Sequence, residues 1–308
     1  MTVIPASEVE FVERAAKYLE NPSFLVRLAD LMGMPLEGVL KLAPHKVTDT
    51  VTVALRRALD VAVFTVPKEA PPLASFPSME DRAWWTGYRH SATTAWTGGA
   101  GGLFGTLGLL VELPVTTCIM LRSMIAIARE YGEDVHDIDA RLECLSLFGM
   151  GGPSKADDEM DASYLAVRTS MGTLVKHASK FVAHTPSQEV MVSIKNGTAP
   201  TLVKLISKIS RRFESAVQEK IMAYTIPLIG AVAGASVNVL FAEHFNAIAR
   251  YHFGLRHLER RWGGEPIRAI YRDAANRFRT RKRWFETEVP DFGYRGDGQF
   301  ALTANKPR

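Results

Sequence analysis

Glu112, His244 and His252 are the side chains of this chain best suited to acid–base or metal chemistry. A carboxylate and two imidazoles can share proton transfer or ligate a metal, provided one site gathers them. His244 and His252 stand eight residues apart, which matches no recognised ligand spacing, and HExxH is absent. There is no GxxxxGK[ST] and no GxSxG elbow. Gly99, Gly101 and Gly105 miss the GxGxxG spacing and follow no strand, so nucleotide binding is disfavoured. No metal and no cofactor is expected. A hydrolase or metal-dependent enzyme using Glu112 with His244 and His252 is the chemical alternative.

A second set reads as binding residues. Arg122 sits within the apolar run 114–131 and needs a partner, for which Glu112 and Glu143 are the expected carboxylates. Tyr164 and Arg168 are four apart and share a helical face. His252, Arg256 and Glu259 lie on one side of a helix at spacings of four and three, and Asn238 precedes them in an apolar stretch.

These residues ride on elements with helical spacing. Ser7-x-x-Glu10 predicts a capping box opening a helix through Leu19. Further helices are expected over 23–32, 36–42, 47–63, 78 onward, 114–131, 139–148, 161–182, 201–219, 243–262 and 266–287. Leu113-Pro114 should kink or restart its helix. Residues 184–200 read as a loop, and the end from Pro290 as a loose tail. Sustained apolar/polar alternation is absent, so the fold class is all-α. The organisation is an N-terminal helical segment (1–65), a Pro-rich linker (66–77), a helical core (78–264), and a basic helix with tail (265–308).

Two glycine-studded apolar stretches contain no charge: Ala95–Val111 and Ile221–Ala242. A glycine inside a helix costs roughly 1 kcal/mol relative to alanine, a cost tolerated where backbones approach closely. Gly98, Gly101, Gly105 and Gly108 recur at steps of three, four and three, and Gly230 and Gly234 at four. Both are small-xxx-small patterns for helix packing. The expected architecture is a multi-helix bundle around a central glycine-rich apolar helical hairpin.

Hydrophobic content of 47% and charged content of 23% are those of an ordinary globular protein, not a polytopic membrane protein. Charge is uneven: residues 1–150 carry 13 Lys/Arg against 18 Asp/Glu, and residues 151–308 carry 24 against 15. The basic half suits an anionic partner, with membrane headgroups preferred over nucleic acid because no nucleic-acid motif accompanies it. The basic amphipathic helix 201–219 and the arginine-rich helix 266–283 are the expected docking elements. Cys118 and Cys144 form no CxxC, and the first residues lack a secretory pattern, so a reducing, cytoplasmic setting is expected.

The chain resembles the EcsC protein family. The resemblance lies in GGAGGLFGTLGLLVELPVTTCIMLRSMIAIAREYGED (98–134), RLECLSLFGMGG (141–152), SYLAVR (163–168) and IPLIGAVAGASVNVLFAEHFNAIARYHFGLRHLERRWG (226–263). It spans most of 80–263, with the N-terminal helices and the tail matching less clearly. That family is widespread in bacteria and named from a gene beside an ABC transporter. The resemblance implies a helical, membrane-associated protein and supplies no catalytic residues. The expected function is therefore binding of lipids, an anionic membrane surface or an apolar ligand through the glycine-rich helices, or association with a membrane protein complex, peripherally at the inner membrane and without chemistry of its own. A membrane-permeabilising effector is a further alternative.

Overall fold

The computed structural model describes residues 4–21, 23–32, 47–65, 74–103, 105–152, 164–225, 234–288, 292–294 and 300–302. They build an all-α bundle: α1 (Ala6–Leu19), α2 (Phe24–Met32), α3 (Thr48–Phe64), α4 (Phe76–Leu103), α5 (Gly105–Glu130), α6 (Ile138–Ser146), α7 (Tyr164–His184), α8 (Ser187–Asn196), α9 (Pro200–Thr225), α10 (Gly234–Trp262) and α11 (Gly264–Glu288). A short 3₁₀ turn, Leu147–Met150, follows α6. Beyond α11 the strands Phe292–Tyr294 and Phe300–Leu302 pair antiparallel, where a loose tail was expected.

Several boundaries differ from the sequence expectation for identifiable reasons. Pro5, not Ser7, is the N-cap of α1, because a proline with no N–H to satisfy sits well at a helix entry. Ser7 lies inside the first turn. Residues 187–196 are helical, not loop: Val190 and Ile194 bury one face, and Gly197 at φ 67° closes α8 in the left-handed conformation that glycine adopts without strain. Pro114 lies within α5, which neither stops nor restarts there. The helix expected over 36–42 lies outside the described residues.

α4 packs along α5 and α10. Arg82 meets Glu130 at 3.1 Å, and a Cβ on Gly87 would touch Ile127, so α4 and α5 run antiparallel. Gly87 also backs onto Asn246 and Arg250, while Ser91 meets Glu243, so α4 and α10 run antiparallel too. This register carries the Leu103 end of α4 and the Gly234 end of α10 to the same end of the bundle. The first glycine stretch takes in the end of α4 and the start of α5, and the second the end of α9 and the start of α10, with residues 226–233 outside the described residues. Gly98, Gly101, Gly105, Gly108 and Gly234 lie in helical backbone; Gly230 is outside the described residues.

One hydrophobic core runs from Phe11 of α1 to Tyr271 of α11. Segments 1–65 and 265–275 thus feed the same interior as residues between them. The predicted stripe Leu202, Leu205, Ile206, Ile209, Phe213 and Val217 of α9 is buried in it. That apolar face is spent on the protein's own core and is not offered to a membrane.

Candidate functional site

The residues singled out from the sequence segregate into separate places. On α10, His252 is fully buried and joins α6 to α7. Its Nδ1 lies 2.8 Å from the Tyr164 hydroxyl and its Nε2 2.9 Å from Glu143 Oε1. A carboxylate only accepts, so Nε2 carries the proton and Tyr164 O–H donates to Nδ1. Burial, helped by nearby Arg168, lowers His252 to about 3 and keeps the ring neutral. Burial likewise pushes the Tyr164 hydroxyl up to about 12, so it stays a donor.

Ion pairs surround this triad. Arg256 donates to Glu143 and, at 3.0 and 3.1 Å, to both oxygens of Glu133, which Arg260 also reaches. Arg168 forks onto Glu259 at 3.1 and 2.6 Å, and Arg268 adds a third bond at 3.3 Å. Burial opposes the Glu259 charge, but these guanidiniums hold the carboxyl below its usual range. Glu143, Tyr164, Arg168, His252, Arg256 and Glu259 therefore form one network beside a cleft of about 630 Å³. Its arginines are already matched by carboxylates, so the arrangement clamps α6, α7, α10 and α11 together. The imidazole is sealed behind it, out of reach of a substrate.

His244 belongs to another network. Its Nε2 donates to the Gly151 carbonyl at 2.7 Å, and the Tyr18 hydroxyl lies 3.3 Å from Nδ1. Burial again lowers the imidazole to about 3. Glu112 is not bonded to Arg122 or to either histidine; it accepts from Lys220 Nζ at 2.6 Å in the interior. Asn238 is fully buried and engaged there as well. Glu112, His244 and His252 thus make their described hydrogen bonds to different partners and are not gathered in one site. No group of three or more metal-ligating side chains occurs among the described residues.

Arg122 is exposed, which corrects its expected place in the interior. The buried stripe of α5 runs through Leu113, Thr117, Met120 and Met124, and Arg122 lies on the opposite side. Apolar residues such as the exposed Val115 raise the hydropathy of the run without being buried, and so disguise that side.

There Arg122 faces a cleft of about 570 Å³ between α4 and α5. Thr86, Arg89, His90 and Thr93 line it from α4, and Arg122 and Arg129 from α5. Both sets recur over seven residues at helical spacing, so each is a single stripe. No carboxylate is among the described residues lining it. Next to Arg89 on α4 stand Trp84, Trp85 and Tyr88, 44%, 58% and 50% exposed. Trp84 stacks on Tyr88 at 5.5 Å, and Trp85 sets its edge against both. These rings lie on the helix expected from residue 78 onward, where spacing alone gives them no role. The signal that would have found the cleft is the matching periodicity of 86/89/90/93 and 122/125/126/129.

The basic helix α11 offers less free charge than its composition suggests. Arg268 and Arg272 contact Glu265, and Arg277 contacts Glu13 and Asp273.

A family model matches residues 8–258, and its description is the EcsC protein family. The match takes in the N-terminal helices as well as the blocks seen in the sequence. No curated protein and no solved structure matches the chain.

Proposed function

The chain belongs to the EcsC family, and from that premise we propose that it docks peripherally on an anionic membrane surface through the exposed face of α4. The observation that carries this reading is the cluster of Trp84, Trp85 and Tyr88, three large rings stacked on one another and left in water. Amphipathic rings of this kind are stabilised at the headgroup boundary, where the ring body leaves water and the polar edge keeps it. Arg89, one turn from Trp85, borders the cluster with positive charge that no carboxylate among the described residues pairs, and that complements anionic headgroups. No helix among the described residues is long and apolar enough to cross a membrane, which favours lying on the surface. The site of action in this reading is the cytoplasmic face of the inner membrane.

The test is flotation of the purified chain with neutral and anionic vesicles at low and high salt. Binding to anionic vesicles is expected, weakened by salt and reduced about tenfold or more by Trp84→Ser combined with Trp85→Ser. A double variant that floats like the parent chain would remove α4 as the docking face.

A further inference from the structure

We propose that the cleft between α4 and α5 is a binding site for a phosphate group, contributed either by a soluble phosphomonoester or by the headgroup of a lipid. The argument is independent of membrane docking, although the two features share α4.

Arg89 and Arg122 form no hydrogen bond or ion pair with the described residues, and both are exposed toward the cleft they line. Arg129 has one contact, Nη2 to Glu130 at 3.4 Å, and Glu130 is shared with Arg82 at 3.1 Å. Glu130 does not line the cleft. The Nε of Arg129 is buried with no hydrogen-bond partner among the described residues, so the Glu130 contact leaves this guanidinium only partly matched. In the other arginine-lined cleft the guanidiniums of Arg168, Arg256 and Arg268 are matched by carboxylates. Two guanidiniums without a described ion-pair partner and a third with one long contact thus line a single concavity that no carboxylate among the described residues lines, an arrangement that suits an anion.

Neighbouring groups register the same positive field. His90 is lowered first by its burial and then by Arg89 and Arg129. The Cys118 thiol, raised by burial, is drawn down by Arg122 and Arg57.

The chemistry of the lining selects phosphate among anions. Guanidinium forks match phosphate oxygens in pairs, and the hydroxyl of Thr86 can donate to a remaining one. A volume of about 570 Å³ exceeds a bare phosphate and leaves room for the group that bears it. Ile125, Ala126 and Val135 supply an apolar wall for that group.

The experiment is calorimetric titration of the full chain with inorganic phosphate, glycerol 3-phosphate and acetate, alongside flotation with phosphatidic acid vesicles. Saturable binding of glycerol 3-phosphate is expected, weakened about tenfold or more by Arg122→Gln and by Arg129→Gln. Because Arg122 is exposed, its variant should keep the parent's unfolding midpoint, which separates lost binding from lost folding. Trp84→Ser with Trp85→Ser should leave the titration unchanged, so a failure of membrane docking does not register as a failure of this site. Competition between glycerol 3-phosphate and phosphatidic acid vesicles assigns the lipid headgroup as the source; titration without competition assigns a soluble phosphomonoester. Absence of saturable binding to every phosphate probe, equal binding of acetate, or unchanged binding in both arginine variants overturns the proposal.

Discussion

Lys220 Nζ and Glu112 Oε1 meet at 2.6 Å where their side chains are 0% and 4% exposed, bridging α9 and α5 across the core. The ring of Phe241 lies 5.2 Å from the same ammonium. Burial pulls the lysine below its ordinary range, and Glu112 opposes that shift. Such a pair is costly to desolvate and more costly to break, since a single deletion strands one charge in the interior.

Glu112→Ala is therefore expected to destabilise the chain by about 3–5 kcal/mol, measured by denaturant unfolding. The paired change Glu112→Leu with Lys220→Met should recover much of that loss, because both charges go together. Equal destabilisation by single and double variants would show that the two residues do not act as a pair.

The buried imidazoles predict acid sensitivity. His244 and His252 are held at about 3 in the folded chain, against roughly 6.5 when unfolded. Between those values the unfolded chain binds more protons, so stability rises with pH. The contribution is complete above the unfolded value and is lost as pH falls toward the folded one. Each histidine supplies a slope of about 1.4 kcal/mol per pH unit within the window. Unfolding measured at pH 7, 6 and 5 should show this decline, and His252→Gln should remove about half of it. A slope identical in the variant would mean that His252 is protonated in the native state.

Gly152→Ala should cost about 1–3 kcal/mol. An added Cβ would lie 2.7 Å from the Arg212 carbonyl oxygen and 2.9 Å from the Ala216 nitrogen, both backbone atoms of α9. Gly172→Ala is the matched control, since nothing lies within 4 Å of a Cβ there. Thermal midpoints of the two variants check the contrast.

Aromatic rings divide by role. Phe148 is fully buried between Phe213 at 4.8 Å and Phe245 at 5.1 Å. Phe148→Ala should cost about 3–5 kcal/mol. Trp85→Ser, at an exposed position, should change stability by no more than about 0.5 kcal/mol. A strongly destabilised Trp85→Ser chain would make that ring part of the core and weaken the docking reading.

Local periodicity was legible in the sequence because it repeats within a helix. The α9 stripe from Leu202 to Val217 and the shared side of His252, Arg256 and Glu259 both follow from spacing alone. Partners across the fold were not legible. Glu112 lies 108 residues from Lys220, and nothing in either neighbourhood names the other. Arg122 was misplaced because hydropathy averaged over a run hides its solvent side. The short helix α8 was missed because Val190 and Ile194 are too few to outweigh its polar surroundings. The α4–α5 cleft needed two stripes to be superposed, which only the antiparallel pairing of the helices supplies.

The first helix is held by the last ones. Glu8 accepts from Arg261 and Trp262, Glu20 from Tyr271, and Glu13 from Arg277. The Glu20–Tyr271 pair is separated by 251 residues. At a synthesis rate of roughly 5–20 residues per second, α1 leaves the ribosome about 12 to 50 seconds before its closing partner exists. Phe11 and Val12 must spend that interval without their native cover from α10 and α11. The topology therefore delays closure over α1 until α10 and α11 have been made, and leaves its apolar face in water until then.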